Sequence, residues 1–146
     1  MYIISDTLYF PPVSDASTEG LLAVGGDLCS ERLQLAYKSG IFPWFNPGEP
    51  ILWWAPKLRM VLYFDELVVS KSMRNILNRN TFTITFNQKF MEVISNCSLI
   101  KREGQRGTWI SQEMIEAYCK LNELGIAKSV EVWQNDELVG GLYGID

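Results

Sequence analysis

From residue 81 onward the hydrophobic pattern switches between period two and period 3.6 in a fixed order, and that order restricts the fold more than any other feature of the chain. Thr81-Phe82-Thr83-Ile84-Thr85-Phe86 alternates as a half-buried strand does. Phe90, Val93, Ile94 and Cys97 then recur at helical spacing. A Ser111-capped helix follows, with Met114, Tyr118 and Leu121 on one face and Gly125 as its stop. Two strands, 129–133 and 137–145, complete the order around the turn Gln134-Asn135-Asp136. Strand, helix, helix, strand, strand describes a sheet covered by helices, so the fold class is α+β. The final strand carries Leu138, Val139, Leu142, Tyr143 and Ile145, with no charge guarding its edge before Asp146. A sheet with such an edge reads as cut rather than finished, and the edge offers a surface for self-association.

The first third follows another logic. Phe10-Pro11-Pro12, Gly25-Gly26-Asp27, Ile41-Phe42-Pro43-Trp44-Phe45 and Asn46-Pro47-Gly48-Glu49-Pro50 combine turn formers with aromatics, so most of it reads as structured loop. One helix interrupts it, capped by Ser30, with Leu33, Ala36 and Tyr37 on one face and Gly40 as a left-handed stop. Apolar runs at 51–54 and 60–64, separated by Pro56, read as short strands. Ser70 then caps a helix whose Met73, Ile76 and Leu77 lie opposite Lys71, Arg74 and Asn78, which turns the basic groups to solvent.

The 146 residues contain no histidine, which excludes Ser-His-Asp and Cys-His catalysis and every His-dependent metal site. Cys29, Cys97 and Cys119 match neither a disulfide framework nor zinc spacing, so a reducing cytoplasm fits and no metal is expected. The N-terminus carries Asp6 and two prolines where a signal peptide needs a basic start and an apolar core, and no apolar run approaches membrane-spanning length. The net charge of −4 conceals a polarity: between residues 57 and 106 nine Lys/Arg stand against four acids, while the flanks together hold −9. That asymmetry either orients the molecule toward a polyanion or is a solvated surface on which charge clusters.

The five tryptophans occupy unlike settings. Trp53 and Trp54 are adjacent in a strand and face opposite ways. Trp44 lies in a loop between Pro43 and Phe45, and Trp109 sits where a loop enters a helix. Loop indoles serve either as platforms for a stacked nucleobase or as plugs between small domains. The Ser70 helix and a basic loop at 101–107 can hold phosphates, contacts that fix position without reading sequence. Basic surface beside stacking aromatics suits the ends of single-stranded RNA. Of the glycine pairs, Gly25-Gly26 supplies positive φ in a turn, while Gly140-Gly141 inside a strand marks a bulge or the close approach of a backbone or ligand.

Several blocks resemble the leucyl/phenylalanyl-tRNA-protein transferase family. They are Gly20-Leu21-Leu22-Ala23-Val24-Gly25-Gly26-Asp27-Leu28, Ala36-Tyr37 with Gly40-Ile41-Phe42-Pro43-Trp44-Phe45, Pro50-Ile51-Leu52-Trp53-Trp54 with Pro56, Gly107-Thr108-Trp109-Ile110, Glu116-Ala117-Tyr118, Ser129-Val130-Glu131-Val132-Trp133, and Leu138-Val139-Gly140-Gly141-Leu142-Tyr143-Gly144. They span nearly the whole chain in consistent order. The resemblance implies a bacterial cytoplasmic aminoacyltransferase. Such an enzyme moves leucine or phenylalanine, and methionine less readily, from aminoacyl-tRNA to a protein with N-terminal Lys or Arg, marking it for degradation by the N-end rule. It also implies an N-terminal domain at 1–65, followed at 66–146 by a basic helix and the first half of a GNAT-like acyltransferase domain.

Carried over by position, Trp44 and Trp109 match residues that hold the terminal adenine of tRNA, and Tyr37 and Tyr118 match aromatics near it. Leu142 matches a position lining the apolar pocket for the aminoacyl side chain. Lys71, Arg74 and Arg79 fall in a helix that contacts the tRNA, although Asn75 and Asn78 stand where bases can occur and thin that contact. The implied chemistry needs no metal or cofactor: an uncharged α-amine attacks an activated ester, and the protein positions it and stabilises the oxyanion. Family members extend past the position of Asp146, and their catalytic carboxylate lies in that extension. No catalytic residue is therefore expected within this chain, and Glu131, Asp136 and Glu137 are not given that role. The alternative function is a noncatalytic module that binds aminoacyl-tRNA ends. Acylation from coenzyme A finds no pyrophosphate loop in the sequence.

Overall fold

The computed structural model describes residues 2–100 and 108–146, so the basic loop expected at 101–107 lies outside the described residues. Two sheets and four helices make up the described α+β fold. The N-terminal sheet contains β1 (Tyr2–Ile4), β2 (Leu21–Gly25), β3 (Phe42–Pro43) and β4 (Leu52–Trp54), in the order β1-β2-β4-β3. β1 runs parallel to β2, and the other pairings are antiparallel. Helix α1 (Ser30–Lys38) lies between β2 and β3 in the chain. Helix α2 (Lys71–Asn78) is followed by β5 (Thr83–Phe86), α3 (Phe90–Leu99), α4 (Gln112–Glu123), β6 (Ala127–Gln134) and β7 (Glu137–Ile145). The second sheet is antiparallel in the order β5-β6-β7.

From residue 81 the order follows the hydrophobic periods. Phe90, Val93 and Ile94 are the buried residues of α3, and Met114, Tyr118 and Leu121 those of α4. The Ser111 hydroxyl accepts the Met114 N–H at 3.2 Å, and Ser70 does the same for Met73. Asn135 and Asp136 both adopt positive φ, the geometry of a tight hairpin turn whose twist matches its strands. Opposite Trp133 the register skips Val139, which makes a bulge. A Cβ on Gly141 would lie 2.9 Å from the Val130 carbonyl oxygen and 3.1 Å from a Val93 methyl, so the helix also approaches closely there. The bulge falls one residue before the Gly140-Gly141 pair, and the close approach is at Gly141 rather than Gly140.

Three expectations fail locally. The first third holds strands β1, β2 and β3 where loop was expected. β2 is a continuous apolar run paired on both sides, so it lacks the alternation that marks a half-buried strand. Residues 60–64 form no strand: Met60 and Phe64 are almost fully exposed, and strand propensity without a neighbouring strand yields no ladder. Ser30 is the first residue of α1 rather than its cap. The chain enters through Cys29, whose N–H is held by the Asp27 carboxylate at 2.9 Å.

One buried cluster joins the two sheets. Leu22, Ala23, Leu33, Ala36 and Trp53 contribute from one side, and Phe90, Ile94, Met114, Tyr118, Leu121 and Ala127 from the other. Arg32 is fully buried within this framework and donates to the carbonyls of Ser5 and Thr7 and to Asp27, fastening the segment after β1 onto α1. No helix of the described residues is long and apolar enough to cross a membrane.

Candidate functional site

The adjacent tryptophans of β4 separate as strand geometry requires. Trp53 is fully buried, donates from Nε1 to the Gly25 carbonyl at 2.8 Å, and meets Phe10 edge-on. Trp54 faces the other way, opposite Phe42 in register. Its Nε1 donates to the Trp44 carbonyl at 2.7 Å, and the two indoles stand 5.8 Å apart. The Trp44 N–H in turn donates to Leu52, extending the ladder past β3. Trp44 is therefore held from its backbone while its indole remains 50% exposed, the arrangement a stacking platform needs.

Arg59 lies at the other end of this aromatic row. Its guanidinium sits 5.6 Å from the Phe42 ring centroid, its Nε donates to Pro56 at 3.3 Å, and its Nη2 donates to Gly40. Gly40 follows α1 with φ +71°, the left-handed stop expected from the sequence.

Tyr37 and Tyr118 meet across α1 and α4. Their phenols hydrogen-bond, and their rings pack edge to face. Tyr118 also packs edge-on against Tyr143, which packs on Phe90. Burial raises the Tyr118 phenol far above its ordinary range, and the neighbouring phenols add to the effect. Burial likewise raises Tyr37, against a lowering contribution from its hydrogen bond to Tyr118. Both therefore stay neutral hydrogen-bonding groups at any physiological pH.

The structure thus joins Tyr37 to Tyr118, while Trp44 rests on Trp54. Trp109 is half-buried against the core cluster, and among the described residues no ring contact links it to Trp44. Lys71, Arg74 and Arg79 are all exposed, and none forms an ion pair among the described residues. The whole of α2 is open: Met73, Ile76 and Leu77, its apolar face, are 48%, 39% and 58% exposed. Leu142 is 61% exposed and points from β7 away from the helices, since Gly141 and Tyr143 occupy the helix side. A cavity of about 330 Å³ between α3 and β7, bordered by Val93, Cys97, Leu138 and Gly140, does not include Leu142.

Sequence reasoning passed over Trp54 and Arg59, although the Trp-Trp pair already required one indole on each face. It also left Glu131 unassigned. That carboxylate is fully buried on the helix side of the second sheet. It accepts from Thr85 and Ser129 at 2.6 Å and from the Gln88 and Lys89 N–H groups at 3.2 Å. Burial pushes its carboxyl up, but these four donors outweigh burial and hold it below the usual range. Every described contact of this acid fastens β5, β6 and the start of α3 together. Among the described residues no cluster of His, Cys, Asp and Glu could hold a metal ion.

Comparison with known proteins covers the whole chain. A family model described as leucyl/phenylalanyl-tRNA protein transferase matches residues 61–146, and one described as the N-terminal domain of that protein matches residues 26–57. The chain is 73% identical over 146 residues to the leucyl/phenylalanyl-tRNA-protein transferase of Flavobacterium johnsoniae, and 63% identical to that of Flavobacterium psychrophilum. Each match covers 100% of this chain and 69% of the relative. The corresponding transferase of Christiangramia forsetii is 55% identical over 145 residues. An α+β fold matched end to end by such enzymes is a transferase. The chain belongs to the leucyl/phenylalanyl-tRNA-protein transferase family.

Proposed function

We propose that this chain carries the aminoacyl-tRNA-binding part of an aminoacyltransferase. That enzyme moves leucine or phenylalanine, and methionine less readily, from tRNA to a protein bearing N-terminal Lys or Arg, and so marks it for N-end-rule degradation in a bacterial cytoplasm. The observation that carries the reading is the exposed Trp44 indole, set beside Trp54 on a backbone that Trp54 holds, in a chain 73% identical to a named transferase. Trp44 and Trp109 hold the terminal adenine, with Tyr37 and Tyr118 beside it as neutral donors and acceptors. Leu142 lines the pocket for the aminoacyl side chain. Lys71, Arg74 and Arg79 hold phosphates of the tRNA, a role their exposure on α2 and at its C-terminal end suits.

In this reading residues 1–65 form the N-terminal domain, and residues 66–146 form a basic helix and the opening of a GNAT-like acyltransferase domain. The antiparallel β5-β6-β7 sheet with α3 and α4 packed on it fits that architecture. The reaction is attack of the acceptor's uncharged α-amine on the ester carbonyl, with expulsion of the ribose hydroxyl. Binding adenosine and side chain together converts this into a positioned, near-unimolecular step. No catalytic residue is assigned here: Glu131 is enclosed and its oxygens are occupied by four donors. The second reading is a module that binds the tRNA end without transferring from it.

Transfer of labelled leucine from Leu-tRNA to an N-terminal Arg peptide separates the two readings when run on this chain beside the Flavobacterium johnsoniae relative. Transfer by both supports the enzyme. Transfer by the relative alone, with tRNA binding retained here, supports the module, and no tRNA binding by this chain rejects both.

A further inference from the structure

We propose that Arg59 is an anion-binding residue that takes the 5′ phosphate of the nucleotide whose base stacks on Trp44. The proposal deepens the tRNA-end reading and rests on it. Three contacts fix the guanidinium: the Pro56 carbonyl on Nε, the Gly40 carbonyl on Nη2, and the Phe42 ring beneath it. Arg59 is nonetheless exposed, and no carboxylate among the described residues pairs with it. An ordinary exposed arginine is a mobile charge whose ordering costs entropy when a ligand binds. Here the fold has already ordered it, while a guanidinium has five N–H donors and the two carbonyls engage only two. The remaining fork is of the kind that recognises phosphate with planar, paired hydrogen bonds.

Its surroundings choose the ligand class. Phe42, Trp54 and Trp44 form one row on one face of the sheet, with Arg59 over the first and the exposed indole at the last. Residues two apart on an extended strand stand about 6.6 Å apart, so Phe42, under the guanidinium, and Trp44 are near neighbours on that face. An ordered cation at one end of this short row and an exposed stacking ring at the other match a nucleotide better than an acidic peptide, which offers charge without a flat base.

Equilibrium dialysis of the 146-residue chain against labelled adenosine, adenosine 5′-monophosphate and the dinucleotide cytidylyl-adenosine tests this. The two phosphate-bearing ligands are expected to bind roughly tenfold or more tighter than adenosine at low salt. Arg59→Ala should abolish that advantage while leaving adenosine affinity unchanged, and Arg59→Lys should restore only part of it. Arg59→Gln, which keeps an amide donor for the backbone carbonyls, should behave like Arg59→Ala and so guards against a folding artefact. Equal binding of adenosine and its monophosphate overturns the Arg59 proposal but leaves stacking intact. A phosphate advantage that survives both uncharged variants does the same. Monophosphate binding that needs Arg59 but ignores Trp44→Ala overturns the pairing of phosphate with a base on Trp44, and failure of all three ligands to bind overturns both readings.

Discussion

Each sheet turns one face to the core and leaves the other open, and the two open faces are held in different ways. On the N-terminal sheet Trp44 and Trp54 are joined by an indole-to-carbonyl hydrogen bond, and Phe42 is covered by an arginine that two carbonyls fix. On the β5-β6-β7 sheet Ile84, Phe86 and Leu142 are 47%, 65% and 61% exposed, and they bring no polar group by which a neighbour could fix them. Phe86, Val130 and Leu142 lie side by side across the three strands, as do Ile84, Val132 and Gly140. Exposure of apolar groups is common to both faces. Imposed order distinguishes them, because a side chain already fixed by the fold loses little further freedom when a ligand binds.

The largest expected effect tests the contrast between closed and open faces. Trp53→Ala removes a fully buried indole and its hydrogen bond to Gly25, and should cost about 3–5 kcal/mol in urea or thermal unfolding. Trp54→Ala, one residue along on the open face, should cost much less. Equal losses would mean that the two faces are not energetically distinct.

Next comes Glu131, the polar centre of the closed face on the second sheet. Glu131→Ala leaves the buried Ser129 hydroxyl and the half-buried donors from Thr85 and the turn before α3 without their acceptor, an expected loss of about 1–3 kcal/mol. Glu131→Gln keeps the shape and one acceptor oxygen and should cost less. The wild-type carboxyl is held below its ordinary value, so its contribution is fully present above the unfolded carboxylate pKa and fades as pH falls through the lower folded value. The stability gap between wild type and Glu131→Gln should therefore narrow on acidification. Asp27 titrates in both proteins, lowered to about 2 chiefly by its hydrogen bond from Arg32, and cancels from the comparison. A gap that widens in acid would contradict the assignment of Glu131 as a stabilised anion.

The sequence revealed these regions unequally. The closed face of the second sheet was legible because Phe90, Val93 and Ile94, then Met114, Tyr118 and Leu121, repeat with the helical period, and because Ser111 is a real cap. β1 and β2 were not legible, since a short strand and a doubly paired apolar run carry no alternation. Glu131 was visible only as an acid in an apolar strand, because three of its four donors come from β5 and the following turn, more than forty residues away. Aromatic residues of the candidate site were named from sequence blocks, but the bond from Trp54 to Trp44 and the seat of Arg59 depend on how β3 pairs with β4. That register follows from tertiary packing rather than from local pattern.

The two glycines of β7 sharpen the contrast at smaller scale. A methyl on Gly141 would press on the Val130 carbonyl and on Val93, whereas nothing lies within 4 Å of one on Gly144. Gly141→Ala should therefore cost about 1–3 kcal/mol by overpacking, while Gly144→Ala should be neutral or stabilising by a few tenths of a kcal/mol. Chemical denaturation of the two variants measures the difference, and a neutral Gly141→Ala would show that α3 does not press on β7 as described.

The smallest expected effect lies at Leu142, where a null result is informative. Leu142→Ser exchanges an exposed aliphatic group for a polar one, and if the open face meets water its cost should stay within about 0.5 kcal/mol. The same face and the adjacent β7 edge are where two copies of the chain would associate, and association would change the outcome in a recognisable way. A second copy covering Leu142 would make the loss exceed 1 kcal/mol and grow with protein concentration, because binding stabilises the folded state by mass action. Unfolding midpoints measured across a hundredfold range of concentration, with sedimentation of both proteins, distinguish the two cases. A concentration-independent, near-zero effect shows a face open to water. A rising effect shows that Leu142 is covered by another copy in solution, and that the ordered aromatic row of the first sheet is the only one of the two faces left free for a ligand.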